Sequence, residues 1–330
     1  ADFRLLGPRA TMLASRRPVI SVCAVRTGAG KSQTTRRVAA LVHEAGLTPV
    51  VVRHPMPYGD LAAQAVQRFA TRDDLVRHHT TIEEREEYEP HLEAGTVVYA
   101  GVDYGAILAQ AEREADVVLW DGGNNDFPFY RPDLAIVVVD PLRPGHELTH
   151  HPGETNLRMA DAIVINKIDS ADPADLDAVR ATIAAVNPTA PVLEARSALR
   201  LDGGDIAGRR VVVVEDGPTL THGGMTFGAG VVAARRFGAA ELVDPRPYAV
   251  GSIAAVLARY PALESLVPAM GYGEEQVAEL QATLNAVPAD LVLMATPIDL
   301  GALLHLDKPV IRVRYDLEQV RGVPLAEVIA

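Results

Sequence analysis

The run Gly28-Ala29-Gly30-Lys31-Ser32 brings two glycines, an ammonium group and a hydroxyl into one turn. Glycine lets successive main-chain N–H groups converge on phosphate oxygens, and a helix beginning at Lys31 adds its positive N-terminal end. In such a cradle Lys31 reaches the β- and γ-phosphates and Ser32 ligates Mg²⁺. Arg26, Thr27 and Gln33 border the loop and complete the expected contacts. The strict spacing G-x-x-x-x-G-K-[ST] is not met, because Val25 stands at the first glycine position. The chemistry expected here is the gripping of a nucleoside triphosphate.

A carboxylate for the metal is expected at the end of a neighbouring strand. Val117-Val118-Leu119-Trp120-Asp121-Gly122-Gly123 is an apolar run stopping at Asp121, placed to hold Mg²⁺ directly or through water. Asn124, Asn125 and Asp126 either extend that polar tip or simply make the turn after the strand. Asn166-Lys167-Ile168-Asp169 follows another apolar run and resembles the N-K-x-D motif with which GTPases read guanine. Related ATPases keep similar residues there, so the base stays open between adenine and guanine.

Further cations and small residues stand after other apolar runs: Arg53 and His54, Arg143 and His146, and His222 with Gly223 and Gly224. Arg offers bidentate phosphate recognition and glycine pairs can form anion-binding nests. The alternative for Arg53 and His54 is a loop fixed by Pro55 and Pro57. His146, His150 and His151 lack the spacing of a standard zinc motif. The acidic run Glu83–Glu89 is either a solvated helix face or a lid over the site.

Positioning these groups requires a sheet. From Pro18 short apolar runs alternate with amphipathic stretches, as in βα units on a parallel sheet. Strands are expected at 19–25, 49–53, 96–100, 116–120, 134–139, 162–165, 192–195 and 210–214. Helices are expected at 31–44, ended by Gly46, and at 173–186, with 60–91 mainly helical. Beyond about residue 217 helices near 250–259 and 274–287 join strands at 290–294 and 310–313, with a helix near 300–306. The fold class expected is α/β: a mostly parallel sheet with helices on both faces, plus a smaller C-terminal α/β lobe. The divisions read are 1–17 as the tail of an upstream domain, 18–216 as the nucleotide-binding domain, and 217–330 as the lobe.

The 330 residues carry 48% hydrophobic and 22% charged side chains, ordinary for a globular protein. No apolar run reaches the roughly 18–20 residues of a membrane span, and no signal peptide is evident. A net charge of −12 argues against general nucleic-acid binding. One cysteine, Cys23, rules out an internal disulfide, and a cytoplasmic setting is expected. Among 31 basic residues only Lys31, Lys167 and Lys308 are lysines, and the first two fall inside motifs. A compact, flexible point charge has been kept where those motifs call for one.

Arg26-Thr27-Gly28-Ala29-Gly30-Lys31-Ser32 resembles the deviant loop K-G-G-x-G-K-[ST] of the partition and metallochaperone NTPases. In that class the early Lys reaches a partner subunit's nucleotide; Arg26 stands at its place, either as an arginine finger or as a solvated loop charge. More of the chain resembles the cyclic 2,3-diphosphoglycerate synthetase family. The likeness is carried by 23–35 around the loop, Arg53–Asp60, Thr81–Glu89, Trp120–Asp126, Asp140–Glu147, His151–Asn156 and Glu215–Met225. It implies a P-loop NTPase fold, a homodimer, and an ATP-dependent ligase using Mg²⁺ that cyclises 2,3-bisphosphoglycerate, a small phosphorylated substrate, releasing ADP and phosphate. The alternatives are a GTPase switch or metallochaperone of the same class, or a nucleotide-sensing scaffold.

Overall fold

A computed structural model describes residues 7–54, 59–122, 126–269, 273–298, 300 and 304–330. The chain forms two compact units: residues 1–80, 87–197 and 316–330, and residues 81–86 and 198–315.

In the first unit, β1 (Val19–Ala24) leads through the glycine turn to α1 (Lys31–Glu44) and β2 (Pro49–Arg53). There follow β3 (Gln67–Phe69), α2 (Arg72–Arg77), α3 (Ile82–Glu93), β4 (Val97–Ala100), α4 (Tyr104–Ala111) and β5 (Val117–Asp121). Next come β6 (Leu134–Val139), α5 (His146–Thr149), α6 (Gly153–Met159), β7 (Ala162–Ile165), α7 (Pro173–Val186) and β8 (Val192–Asp202). The strand order is β8-β7-β6-β1-β5-β2-β4-β3, and every pair is parallel except β3 with β4. Side chains of β1 alternate between two cores: Ile20, Val22 and Ala24 join one with Val38 and Val42 of α1. Val19 and Cys23 join the other with Ile107 of α4, Leu157 of α6 and Ile183 of α7. This is why β1 is buried throughout and reads as an unbroken apolar run. It is the expected parallel sheet with helices on both faces.

In the second unit, β9 (Arg210–Asp216) is followed by α8 (Gly217–Thr221), α9 (Ala229–Arg236), β10 (Glu241–Leu242), α10 (Gly251–Arg259) and β11 (Val267–Ala269). Then come α11 (Glu274–Ala286), β12 (Leu291–Ala295) and β13 (Val310–Arg321). Strand β9 pairs in parallel with β10, β11 and β12, and β12 with β13. Lys308, the lysine outside the motifs, donates to the Leu284 and Asn285 carbonyls at 3.1 and 2.8 Å, closing the C-terminal end of α11.

Two readings change. The second unit begins its longer stretch at 198, ahead of the 217 read from the sequence, and takes in β9. Residues 316–330 return to the first unit, where Leu317 and Leu325, the latter opening α12 (Leu325–Ile329), enter its core. The stretch 60–91 is not mainly helical, since Gln67–Phe69 adds an antiparallel edge strand. Among the described residues no helix is long and apolar enough to cross a membrane. The helix expected near 300–306 lies largely outside the described residues.

Candidate functional site

The carboxyl ends of β1, β5, β2, β6 and β7 lie side by side in the first unit, where a parallel α/β sheet places ligands. At that edge β1 passes into a turn in which Gly28 and Gly30 have φ of +80° and +112°. Side-chain-bearing residues avoid this region, so glycine is required there. A Cβ on Gly30 would also lie 2.0 Å from Asn166 Nδ2. Gly30 caps α1 without supplying a side chain, which leaves the first N–H groups of Lys31–Glu44 facing the loop.

Register sets Asp121 of β5 opposite Val22 of β1 and Arg53 of β2. Its carboxylate is fully buried and fully engaged. Lys31 Nζ donates to Oδ1 at 2.6 Å and Thr35 Oγ1 donates to the same atom at 2.9 Å. Arg53 Nη1 stands 2.7 Å from Oδ2, and His91 Nε2 is 3.3 Å away. Burial opposes the charge on Asp121, but Arg53 and Lys31 outweigh it and hold the carboxyl well below its usual range. Burial pushes His91 the other way, so its imidazole is neutral and Nε2–H is the donor to the carboxylate.

Arg53 is buried and also pairs with Glu87 of α3. It therefore acts as a counter-ion within the fold instead of presenting a cation to a second phosphate. Burial lowers the proton affinity of the neighbouring His54. Residues 55–58, which extend that segment of the resemblance, lie outside the described residues, as do Gly123, Asn124 and Asn125. The acidic run of α3 is neither a bare solvated face nor a detached lid: Tyr88 enters the core and Glu87 reaches Arg53. His91 and Thr35 escaped the sequence reading. Glu87 and His91 are one helical turn apart, so a helical projection would have put them on one face.

At the end of β7, Asn166 Nδ2 donates to the Ala29 carbonyl at 3.0 Å, and Lys167 Nζ donates to the Gly28 carbonyl. Lys167 is one of two non-glycine residues with positive φ among those described, at +59°. The Asn-Lys pair thus braces the phosphate turn, and Asp169 is exposed. From the far side of the loop, Gln33 Oε1 accepts from Ser197 Oγ at 3.1 Å.

At the end of β6, Asp140 accepts from Arg143 Nη2 at 2.6 Å and from Lys167 Nζ at 3.2 Å. Arg143 and Lys167 hold its carboxyl low against burial. Burial, and then the neighbouring Arg143, lowers the proton affinity of Arg26; burial, His150, Arg143 and Arg26 lower that of His146. The other nominated groups fall in the second unit. His222 is exposed beside Thr221, and Gly224, at φ +70°, donates to the Leu220 carbonyl and closes α8. Gly224 serves there as a helix terminator.

Ser32 is half-buried at the start of α1, so its hydroxyl fits a hard divalent cation that takes most of its ligands from phosphate and water. Asp121 fits the same cation through water, since both its oxygens already carry partners. Among the described residues no three of His, Cys, Asp and Glu converge as a metal cluster.

Residues 71–195 match the family of the cyclic 2,3-diphosphoglycerate synthetase P-loop domain. The chain is 61% identical over 330 residues to the arginine synthetase ArcE of Thermococcus kodakarensis, covering all of this chain and 74% of that protein. In fold it is similar to LpxK of Aquifex aeolicus, solved with ATP, at a TM-score of 0.51 and 15% identity, covering 97% of this chain and 89% of that one. The chain therefore belongs to the family of this arginine synthetase.

Proposed function

We propose that the chain carries the nucleotide-binding and phosphoryl-transfer machinery of an ATP-dependent ligase. The observation that supports this most is the Lys31–Asp121 pair beneath the glycine turn. Lys31 is held in reserve on a buried carboxylate, and a triphosphate entering the turn competes for its ammonium group. Arg53 stays to balance Asp121, so Lys31 can move without leaving a buried charge unpaired. Mg²⁺, held by Ser32 and through water by Asp121, would neutralise charge on the β- and γ-phosphates. The main-chain N–H groups of 28–32 orient the triphosphate tail, and Lys31 stabilises charge as the γ-phosphoryl group leaves.

Such a ligase transfers the γ-phosphoryl group to an oxygen of its second substrate, and a nucleophile then displaces phosphate. Identity of 61% along the whole chain favours arginine as the product. Removing one nitrogen from a guanidinium leaves a ureido carbonyl, whose oxygen would accept the phosphoryl group before ammonia displaces it. The second reading is ring closure of 2,3-bisphosphoglycerate, favoured by the family match over 71–195. Arg53 is already neutralised by Asp121 and Glu87, which withdraws that one cation from the binding of a second polyanion.

Incubation with MgATP or MgGTP, each with a ureido amino acid plus ammonium or with 2,3-bisphosphoglycerate, tests both. ADP and arginine appearing together support the first; ADP with a cyclic diphosphate supports the second. GTP turnover indifferent to either substrate would return the protein to the GTPase switches. On the resemblance alone, we take the active form to be a cytoplasmic homodimer acting on a small molecule, with sedimentation as the check on its size.

A further inference from the structure

We infer that Arg26, Arg143, His146 and His150 form a second oxyanion subsite beside the phosphate turn, for the phosphoryl group once it has left ATP and for the inorganic phosphate it becomes. This rests on the ligase reading. Arg26 follows β1, and the other three follow β6, its hydrogen-bonded neighbour, with Ala24 opposite Val138. The two loops touch: a Cβ on Gly153, the first residue of α6, would lie 2.5 Å from the Val25 carbonyl oxygen. The cluster therefore flanks the turn on the β6 side of β1, while Lys31 and Asp121 lie on the β5 side.

The rings of His146 and His150 stack with centroids 4.5 Å apart, inclined by 32°. Arg26 makes no ion pair among the described residues, and its Nε and the Nδ1 of His146 are buried without a hydrogen-bond partner among them. The acidic groups nearby are Asp140, already shared by Arg143 and Lys167, and Glu147, whose Oε2 accepts from the Gly145 N–H while its Oε1 is buried without a hydrogen-bond partner among the described residues. Four basic groups thus gather beside two carboxylates, one of them, Asp140, already shared by two cations, in a chain of net charge −12. Mutual repulsion is costly unless an anion relieves it, and such local conflict marks functional positions. His146, neutral while the subsite is empty because burial, His150, Arg143 and Arg26 oppose its proton more than Asp140 favours it, takes up a proton as a dianion enters. For a phosphoryl group beside the turn, the Arg forks and the imidazoles are both sources of hydrogen-bond donors.

Calorimetry on the protein saturated with MgADP tests this with inorganic phosphate, and with sulfate as a dianion that does not titrate. One phosphate is expected per chain, with sulfate binding tightening from pH 8 to pH 6. In His146→Gln/His150→Gln, and separately in Arg26→Gln, phosphate affinity is expected to fall about tenfold or more, exceeding any loss of ADP affinity. The pH dependence of sulfate binding should vanish in the histidine pair. Phosphate affinity unchanged in both variants, equal losses of ADP and phosphate, or acetate binding as tightly as phosphate would overturn the subsite. Failure of the unaltered protein to bind ADP at all would instead sink the ligase reading, so the two failures are distinct.

Discussion

Lys31 and Asp121 form a buried ion pair, Nζ to Oδ1 at 2.6 Å, between the first residue of α1 and the last of β5. Ninety residues separate the partners in sequence, and the parallel pairing of β1 with β5 brings them together. The pair sets the resting position of the Lys31 ammonium group beside the glycine turn.

Replacing Lys31 by Ala removes that ammonium group while Arg53 remains as counter-ion to Asp121. Turnover of ATP should fall about 10²–10³-fold, the usual cost of losing one donor to developing phosphoryl charge. Steady-state ADP release, with circular dichroism to confirm folding, is the check; turnover within a few-fold of the unaltered protein would remove Lys31 from the mechanism.

Asp121→Asn leaves Lys31 and Arg53 facing a neutral amide in a buried site. Breaking a buried pair by deleting one partner typically costs about 3–5 kcal/mol, which denaturant unfolding at pH 7 should resolve. The carboxyl is held low in the fold, so the unfolded chain binds its proton first on acidification. Its contribution is complete above an unfolded value near about 3.9 and fades as pH falls through the lower folded value. The stability gap between the two proteins should therefore be flat from pH 7 to 5 and narrow in stronger acid.

Gly30→Ala introduces a methyl group at φ +112° and within 2.0 Å of Asn166 Nδ2. The turn must open or Asn166 must release the Ala29 carbonyl. ATP affinity should drop while the far-UV spectrum and the unfolding midpoint change little, because the strain is local to a loop. Fluorescent-nucleotide titration reads the first and thermal denaturation the second.

Asp169→Ala separates the two jobs of the Asn-Lys-Ile-Asp run. Asn166 and Lys167 contact the turn, and a substitution at Asp169 leaves those contacts in place. If guanine were read there, the substitution would erase a preference for GTP over ATP. The ligase reading predicts an ATP preference that the substitution leaves within about threefold.

The β1–turn–α1 unit was legible because its signals are local: an apolar run, glycines at forced φ angles, and a helix ended by glycine. Asp121 was legible for the same reason, as a carboxylate closing an apolar run. Arg53 was visible as a cation at a strand end, but its role was not, since Glu87 and Asp121 reach it from distant segments. Thr35 and His91 depend on the same long-range meeting. The unit boundary was hidden because β9 and β7 are equally buried apolar runs, and only their tertiary neighbours assign them to different units. Buried parallel strands look alike in sequence.

Titrating the purified chain with MgATP by calorimetry tests the central claim most directly. One site per chain is expected, with binding lost or strongly weakened in Lys31→Ala and Gly30→Ala. No heat for either ATP or GTP from the folded, unaltered protein would contradict the account.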